Sequence, residues 1–304
     1  MTPDEFTIKE TFIDVGDGHE LYLQDWGNPK AKTPIIFLHA GPGAAVKNRH
    51  KQRFNPYEQR VIFFDQRGCG KSLPYGSLEN NKTDNLINDI ELIAQHRGLE
   101  KFVITGGSWG AALGLAYALK HPDRVIAMTL VGIFTGSQAE IDYLDKGGYR
   151  TFFPDVWDNY LSQTPKSHHA DPTKYHFDRI LSDDINALRS SAYIYSNLEG
   201  SLVSLDDRFT PQETADFDAL PTRIEVYYLA NRCFMPDRYI LDNAHKLTMP
   251  IWLVQGRYDV VCPPQTAYEL HQKIHNSTLI WTVAGHGNDR GNYDVMRTIN
   301  ATWN

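Results

Sequence analysis

An uncharged stretch of 18 residues, from Phe102 to Leu119, constrains the fold more than any other feature of the sequence. Its length approaches that of a membrane-spanning helix. However, residues 106–110 in its middle read GGSWG, and glycines at this density favour a sharp turn over a continuous helix. The stretch therefore predicts a buried strand, a tight turn and a buried helix of small residues.

The glycine-rich turn matches the pattern G-x-S-x-G, with Ser108 as the central serine. A strand before this pattern and a helix after it are the context of a nucleophile elbow, which lifts the serine hydroxyl above a sheet. The glycines are needed there because the tight turn leaves no space for side chains around the serine. An ordinary strand–helix turn without chemistry is the alternative interpretation, since glycine and serine are common in turns.

Short apolar runs alternate with helical patterns along much of the chain. A helix is predicted from Thr83, which can cap it, to Gly98, and a hairpin is predicted to join residues 12–15 to residues 21–26. Such alternation predicts an α/β fold with a mainly parallel sheet and helices on both faces. Together with the elbow it indicates the α/β-hydrolase fold. The predicted buried strands cover residues 35–38, 61–64, 102–104, 125–131, 251–254 and 279–283.

The alternation stops in residues 135–236, which read as several helices. We predict a helical cap domain over 135–236, and a catalytic core made of residues 1–134 and 237–304. The cap contains 16 acidic and 9 basic residues, so it accounts for the whole net charge of −7. This excess is either a solvated helical face or a lid that attracts a cationic substrate.

Charge and cysteine content exclude several classes of function. Acidic residues outnumber basic ones and no basic face is visible, so we expect no nucleic-acid partner. Asp4, Glu5 and Lys9 interrupt the N-terminus before an apolar targeting segment could form, and we expect no membrane partner. An odd number of widely separated cysteines favours a reducing, cytoplasmic location. The sequence leaves the oligomeric state open.

We expect neither a metal nor an organic cofactor. The chain contains no GxGxxG fingerprint and no phosphate-binding P-loop. Histidines do cluster at His168, His169 and His176, close to Asp171. Their spacing fits no standard metal site, and a polar loop of the cap is the simpler interpretation.

A nucleophilic serine needs a base, and the base needs an acid that orients it. In α/β-hydrolases the chain order is serine, acid, histidine. Asp259 and His286 follow two of the predicted strands in that order, where the carboxyl ends of parallel strands meet at one rim. A turn-forming aspartate and a loop histidine are the alternatives for each residue alone. The predicted catalytic residues are therefore Ser108, Asp259 and His286.

Hydrolysis of an ester or amide also requires donors for the tetrahedral oxyanion. One expected donor is the backbone N–H of the residue after the nucleophile, Trp109. The other is expected from the loop after the strand at 35–38, where Gly41 is placed to offer its N–H. The alternative interpretation of this loop is an ordinary Gly-Pro turn.

Several motifs together resemble those of the proline iminopeptidases, α/β-hydrolases that remove an N-terminal proline from peptides. The resemblance runs essentially from end to end. It is carried by residues 39–43 (HAGPG), 65–72 (DQRGCGKS), 106–110 (GGSWG), 132–134 (GIF), 153–157 (FPDVW) and 256–262 (GRYDVVC).

The resemblance implies a substrate site in the cap. Two glutamates of the family hold the free α-amine of the substrate, and they match Glu199 and Glu225 of this sequence. The family's pocket for the proline ring uses a phenylalanine and a cysteine that match Phe134 and Cys262. Solvated helix residues, partners of an arginine, or core packing are the alternative roles for these positions.

The chain departs from the family pattern mainly in the cap, where aromatic residues are replaced by Leu144 and Asp145, while Ala40 replaces a glycine of the oxyanion loop. The resemblance implies a serine aminopeptidase that releases an N-terminal proline, or another small residue, through an acyl-enzyme. A hydrolase of small aminoacyl amides or esters is the alternative enzyme. A non-catalytic binding protein on the same scaffold is the alternative of another class, although such proteins usually lack a complete set of catalytic residues.

Overall fold

The computed structural model describes residues 3–205, 214, 216–287 and 289–303. Within these ranges one sheet contains eight strands in the order β1-β2-β4-β3-β5-β6-β7-β8. The first two pairings, β1 with β2 and β2 with β4, are antiparallel, and the remaining pairings are parallel. The strands are β1 (Thr7–Asp14), β2 (Glu20–Gly27), β3 (Pro34–Leu38), β4 (Arg60–Phe64), β5 (Phe102–Ser108), β6 (Val125–Ile133), β7 (Ile251–Gly256) and β8 (Ser277–Thr282).

Helices cover both faces of this sheet, as the sequence predicts. Alternate residues of each central strand point to opposite faces, so Ile36 and Ile104 join the main core that contains α2 and α3, while Phe37 and Val103 join a second, aromatic-rich cluster. The helices of this part are α1 (Asn48–Lys51), α2 (Thr83–His96), α3 (Trp109–Lys120), α10 (Pro264–Lys273) and α11 (Arg290–Asn300).

Between β6 and β7 the described residues form helices and loops. These helices are α4 (Gln138–Asp145), α5 (Pro154–Ser162), α6 (Pro172–Ile180), α7 (Ile185–Gly200), α8 (Leu220–Ala230) and α9 (Tyr239–Asn243). Helices α4 to α8 lie in the segment for which the sequence predicts a helical cap, whereas α9 lies beyond its predicted end at residue 236. The division into core and cap domains stays a prediction. Across the described ranges, no helix combines the length and the apolar character that crossing a membrane requires.

One local prediction is wrong. Thr83 does not cap α2, because Lys82 holds the cap position and Thr83 is already inside the helix. The Thr83 hydroxyl donates instead to the carbonyl of Cys233, next to α8.

The strand order reverses direction around β3, because the chain passes from β3 to β4 on one side and then to β5 on the other. In open α/β sheets, such a reversal opens a crevice at the carboxyl ends of the adjacent strands, here β3 and β5. The loop after β3 and the turn after β5 therefore meet at the same point, and they carry Gly41 and Ser108.

Candidate active site

Ser108 lies at the end of β5 and caps α3, with φ 54° and ψ −123°. A side-chain-bearing residue rarely adopts such a backbone conformation. The turn can be this tight because Gly110 lacks a side chain: a Cβ there would lie 2.2 Å from the carbonyl oxygen of Leu38, at the end of β3. The first turn of α3 therefore packs directly on the neighbouring strand, which holds Ser108 above the sheet.

The loop after β3 contributes Gly41, whose φ of +120° is accessible mainly to glycine. Trp109, the other predicted oxyanion donor, is the first residue of α3, and its side chain is completely buried. The indole Nε1 of Trp109 donates to Gln66 at 2.9 Å, and the amide of Gln66 donates to the carbonyl of His39 at 3.0 Å. These bonds connect the serine turn to the loop that carries Gly41.

The structure brings Asp259 and His286 together. The Nδ1 atom of His286 lies 2.8 Å from Oδ2 of Asp259. The buried Asp259 carboxylate also accepts from the backbone N–H groups of Val261 and Cys262 and from the side chain of Gln255, at 2.8 to 3.0 Å. Because both carboxylate oxygens accept hydrogen bonds, the position of Asp259 is fixed, and it can orient the imidazole.

Two effects oppose each other at the His286 imidazole. Burial lowers its pKa, but the negative charge of Asp259 and the hydrogen bond between them raise the pKa well above its ordinary value. The neighbouring Cys262 thiol is buried, which raises its pKa to about 11 and keeps it neutral near pH 7. Asp259 is therefore the group that stabilises a protonated His286.

Ser108 and His286 line a common cavity of about 350 Å³. Gly41, Glu199 and Glu225 contribute to the same cavity. The two glutamates come from different helices, since Glu199 is near the end of α7 and Glu225 is in the middle of α8. The fold thus collects residues that are more than 180 positions apart in the sequence around one serine.

A smaller cavity, of about 30 Å³, adjoins the first one. Four residues line both cavities and so mark their junction: Gly41, Ser108, Glu199 and Glu225. The buried Phe134 and Cys262 line the smaller cavity, together with the apolar side chains of Ile141, Leu144, Leu229 and Val261. All the site residues predicted from the sequence except Asp259 and Trp109 thus line at least one of the two cavities.

Glu199 and Glu225 form a hydrogen bond with each other. Burial raises the pKa of both carboxyls, and the charge of Glu199 raises the pKa of Glu225 further. Two carboxylates in contact repel each other, so such a pair retains a proton unless a cation approaches. The junction of the two cavities is therefore a place where a cation is stabilised.

The described residues hold no group of three or more His, Cys, Asp or Glu side chains that could bind a metal ion. His176 of the histidine-rich stretch is buried between two hydroxyls, with Thr164 at 3.0 Å from Nε2 and Ser191 at 3.1 Å from Nδ1. These contacts give His176 a structural role between α6 and α7.

Sequence reasoning gave no role at the site to several ionisable residues that line the cavities. Arg49, His50 and Arg53 line the larger one and Asp145 the smaller one. Burial, followed by the charges of Asp142 and Asp171, raises the pKa of Asp145 to about 7. The available signal for the first three was a dense run of basic residues in positions 47–53, KNRHKQR, directly after the oxyanion loop.

The sequence matches a family model of the alpha/beta hydrolase fold over residues 33–286. It is similar to a probable proline iminopeptidase from Leptolyngbya boryana, with 39% identity over 270 residues that cover 86% of this chain and 83% of the relative. It is also similar to a proline iminopeptidase from Arabidopsis thaliana, with 37% identity over 275 residues that cover 86% of this chain and 70% of the relative.

Among solved structures, an esterase (EaEST) from Exiguobacterium antarcticum resembles this chain with a TM-score of 0.67. The match covers 97% of this chain and 99% of the esterase, at 22% identity. At that identity the likeness shows the fold alone. Together with the family match, it confirms the α/β-hydrolase fold that the sequence predicts.

Proposed function

Because this chain belongs to the proline iminopeptidases, a family of α/β-hydrolases, we propose that it is a serine aminopeptidase that releases an N-terminal proline, or another small residue, from peptides. The observation that carries this proposal is the position of Glu199 and Glu225, which line the same cavities as Ser108. A pair of carboxyls beside a nucleophile selects substrates with a free amine.

In the proposed reaction, the Ser108 hydroxyl attacks the carbonyl carbon of the N-terminal residue while His286 accepts the hydroxyl proton. The negative charge that develops on the carbonyl oxygen is stabilised by the backbone N–H groups of Gly41 and Trp109. His286 then returns its proton to the leaving amine, and the C–N bond breaks. Asp259 stabilises the imidazolium that exists between these two proton transfers.

The first stage leaves the N-terminal residue esterified to Ser108. Water then attacks this ester carbonyl while His286 accepts one of the protons of the water molecule. The collapse of the second tetrahedral intermediate breaks the ester bond, and His286 protonates the serine oxygen. The enzyme returns to its initial state, and the released residue carries the new carboxylate.

The glutamate pair explains why only an N-terminal residue would be released. An ammonium entering the junction replaces the proton that the two carboxyls share, and each carboxylate then interacts with a positive charge. The amine is thereby held at a fixed distance from Ser108. In this arrangement the side chain of the N-terminal residue is directed toward the smaller cavity, between Phe134 and Cys262.

A cytoplasmic location and a peptide with a free amine as partner belong to the same proposal. All three cysteines, Cys69, Cys233 and Cys262, are buried free thiols, which supports a reducing compartment. The net charge of −7 does not favour nucleic acid as a partner.

A panel of aminoacyl-naphthylamides and short peptides, with free and acetylated N-termini, tests the proposed function. We expect cleavage of proline naphthylamide and of free peptides, and a loss of at least about 100-fold in kcat/KM on acetylation, because the acetyl group removes the charge that the glutamates bind. The Ser108→Ala variant is the control and should lose activity by a factor on the order of 10⁴ or more. Equal cleavage of acetylated and free peptides would overturn the aminopeptidase assignment. Cleavage of aminoacyl esters with no cleavage of any peptide would favour the small-metabolite hydrolase instead.

A further inference from the structure

The larger cavity carries side chains of both charges. Glu199 and Glu225 contribute carboxyls from α7 and α8, whereas Arg49 and Arg53 contribute guanidinium groups from α1 and the turn that follows it. The proposed binding of the substrate amine uses the two carboxyls and leaves the two arginines without a role.

The positions of the arginines relative to Ser108 follow from the way the two cavities share their walls. Ser108 and both glutamates line both cavities, while Arg49 and Arg53 line only the larger one. A substrate whose amine is at the glutamates and whose first side chain is directed toward the smaller cavity must extend into the larger cavity. The arginines therefore lie on the side of the leaving group.

His286 supports the same orientation. It lines the larger cavity and is absent from the wall of the smaller one. The base that protonates the leaving amine must lie on the side of the leaving group. The arginines and His286 thus share the part of the site into which the rest of the peptide extends.

His50 adds a neutral donor between the two arginines in the sequence. Its Nδ1 accepts a hydrogen bond from the backbone N–H of Lys47 at 3.0 Å, and its ring packs on Phe37 with 5.0 Å between centroids. Burial, followed by the charges of Arg53 and Arg49, lowers the pKa of His50 to about 2. The imidazole is therefore neutral, and with Nδ1 as acceptor its proton is on Nε2.

The arginines of this group supply positive charge at the wall of the larger cavity. Among the salt bridges of the described residues, none involves Arg49. Burial and the neighbouring charge of Arg49 lower the pKa of Arg53 to about 10, which means that its surroundings disfavour the cation. An anion that enters the cavity would stabilise the Arg53 cation and would also meet the exposed guanidinium group of Arg49.

We propose that Arg49, His50 and Arg53 bind the C-terminal carboxylate of the leaving group, so that the preferred substrates are dipeptides and tripeptides with a free C-terminus. This inference rests on the proposed aminopeptidase function and adds the second half of substrate recognition. The site thus binds both ends of a short zwitterionic peptide: the glutamates bind its ammonium and the arginines bind its carboxylate. Guanidinium groups are suited to this task because they donate two parallel hydrogen bonds to a carboxylate.

Comparing free acids with C-terminal amides of Pro-Gly, Pro-Gly-Gly and Pro-Gly-Gly-Gly-Gly tests the proposal in the wild-type protein. We expect kcat/KM of the free acid to exceed that of the amide by about tenfold or more for the dipeptide or the tripeptide, and the ratio to approach one for the longest peptide. A ratio near one at every length would overturn the proposal. Proline naphthylamide, which has no carboxylate, is measured in parallel, because its failure to react would refute the aminopeptidase function itself.

Variants then assign the preference to residues. Arg49→Gln combined with Arg53→Gln should reduce the acid-to-amide ratio to near one, and Arg53→Lys, which keeps the charge, should retain part of it. Arg189→Gln is the matched control, because it removes an exposed arginine from α7 outside both cavities and should keep the wild-type ratio. A double variant that keeps the full ratio would overturn the assignment. Since the wild-type ratios are measured first, a variant that does not fold leaves the test of the carboxylate preference intact.

Discussion

Ser108 combines a strained backbone with a position in a cavity wall. Residues with side chains adopt φ near 54° at a cost of about 1–3 kcal/mol, and such strain persists only where the surrounding structure imposes it. Here the packing of Gly110 on the end of β3 imposes it. The partial exposure of Ser108 in a largely buried turn is consistent with a reacting group rather than with a packing role.

The pH dependence of the reaction follows from the hydrogen bond between His286 and Asp259. Since Asp259 raises the pKa of His286 and the base must be neutral, activity should increase with pH through a midpoint above the ordinary histidine value of ~6.5. In Asp259→Asn, the midpoint should move to lower pH and kcat should fall by about 10⁴. A neutral ester is the substrate of choice, because it carries no ammonium whose binding depends on the protonation of the glutamate pair.

The result that contradicts this account is a wild-type midpoint well below pH 6.5 that does not move in Asp259→Asn. Such a profile would mean that Asp259 does not control the protonation of the base, in spite of the 2.8 Å contact.

At the scale of elements, the start of α3 depends on its contact with β3. Gly110→Ala should destabilise the protein by about 1–3 kcal/mol, because the added methyl group would overlap the Leu38 carbonyl oxygen at 2.2 Å. Gly291→Ala is the matched control, since Gly291 is likewise the second residue of a helix, but its nearest neighbour would lie at 3.3 Å. Urea unfolding should show a lower midpoint for Gly110→Ala and little change for Gly291→Ala. Equal midpoints for both variants and the wild type would refute the role of this contact.

The core elements could be predicted because apolar runs and turn residues mark each of them. Their ends are less predictable: β5 extends past the predicted residue 104 to Ser108, because Gly106 and Gly107 remain paired with Leu130 and Val131 of β6. Glycines read as a turn in the sequence, yet here they continue the strand. Whether such glycines form a turn or extend the strand depends on pairing with the neighbouring strand. The sequence of β5 alone carries no information about that pairing.

Some residues of the site can likewise be predicted from the sequence, and others cannot. Ser108, Asp259 and His286 are predictable from their motifs, and Glu199 and Glu225 from the resemblance to a family. Arg49 and Arg53 belong to no motif, and α1 is only four residues long. Their role in the cavity depends on how the α7 and α8 helices close over the loop after β3, which is a property of the tertiary structure.

At the scale of the whole molecule, acidic and basic residues are concentrated in different parts of the chain. The excess of acidic residues lies between positions 135 and 236, and the two half-buried glutamates at the junction of the cavities belong to that segment. The basic run at 47–53 lies in the other part of the chain, and three of its residues, Arg49, His50 and Arg53, line the same larger cavity. A substrate in this cavity meets both carboxyls and guanidinium groups, which favours peptides that carry both charges.

The response of the glutamate variants to the charge of the substrate tests the central claim most directly. In Glu225→Gln and in Glu199→Gln, kcat/KM for proline naphthylamide should fall on the order of 100-fold. This factor corresponds to an increase of about 3 kcal/mol in activation free energy, which is expected because a buried ammonium loses a charged partner. The loss for nitrophenyl acetate, which has no ammonium, should be much smaller. Glu100→Gln is the control, because Glu100 is an exposed residue between α2 and β5, and this variant should match the wild type on both substrates. If either variant loses activity equally on the amine and on the neutral ester, the glutamates have a structural role and the account of amine recognition is wrong.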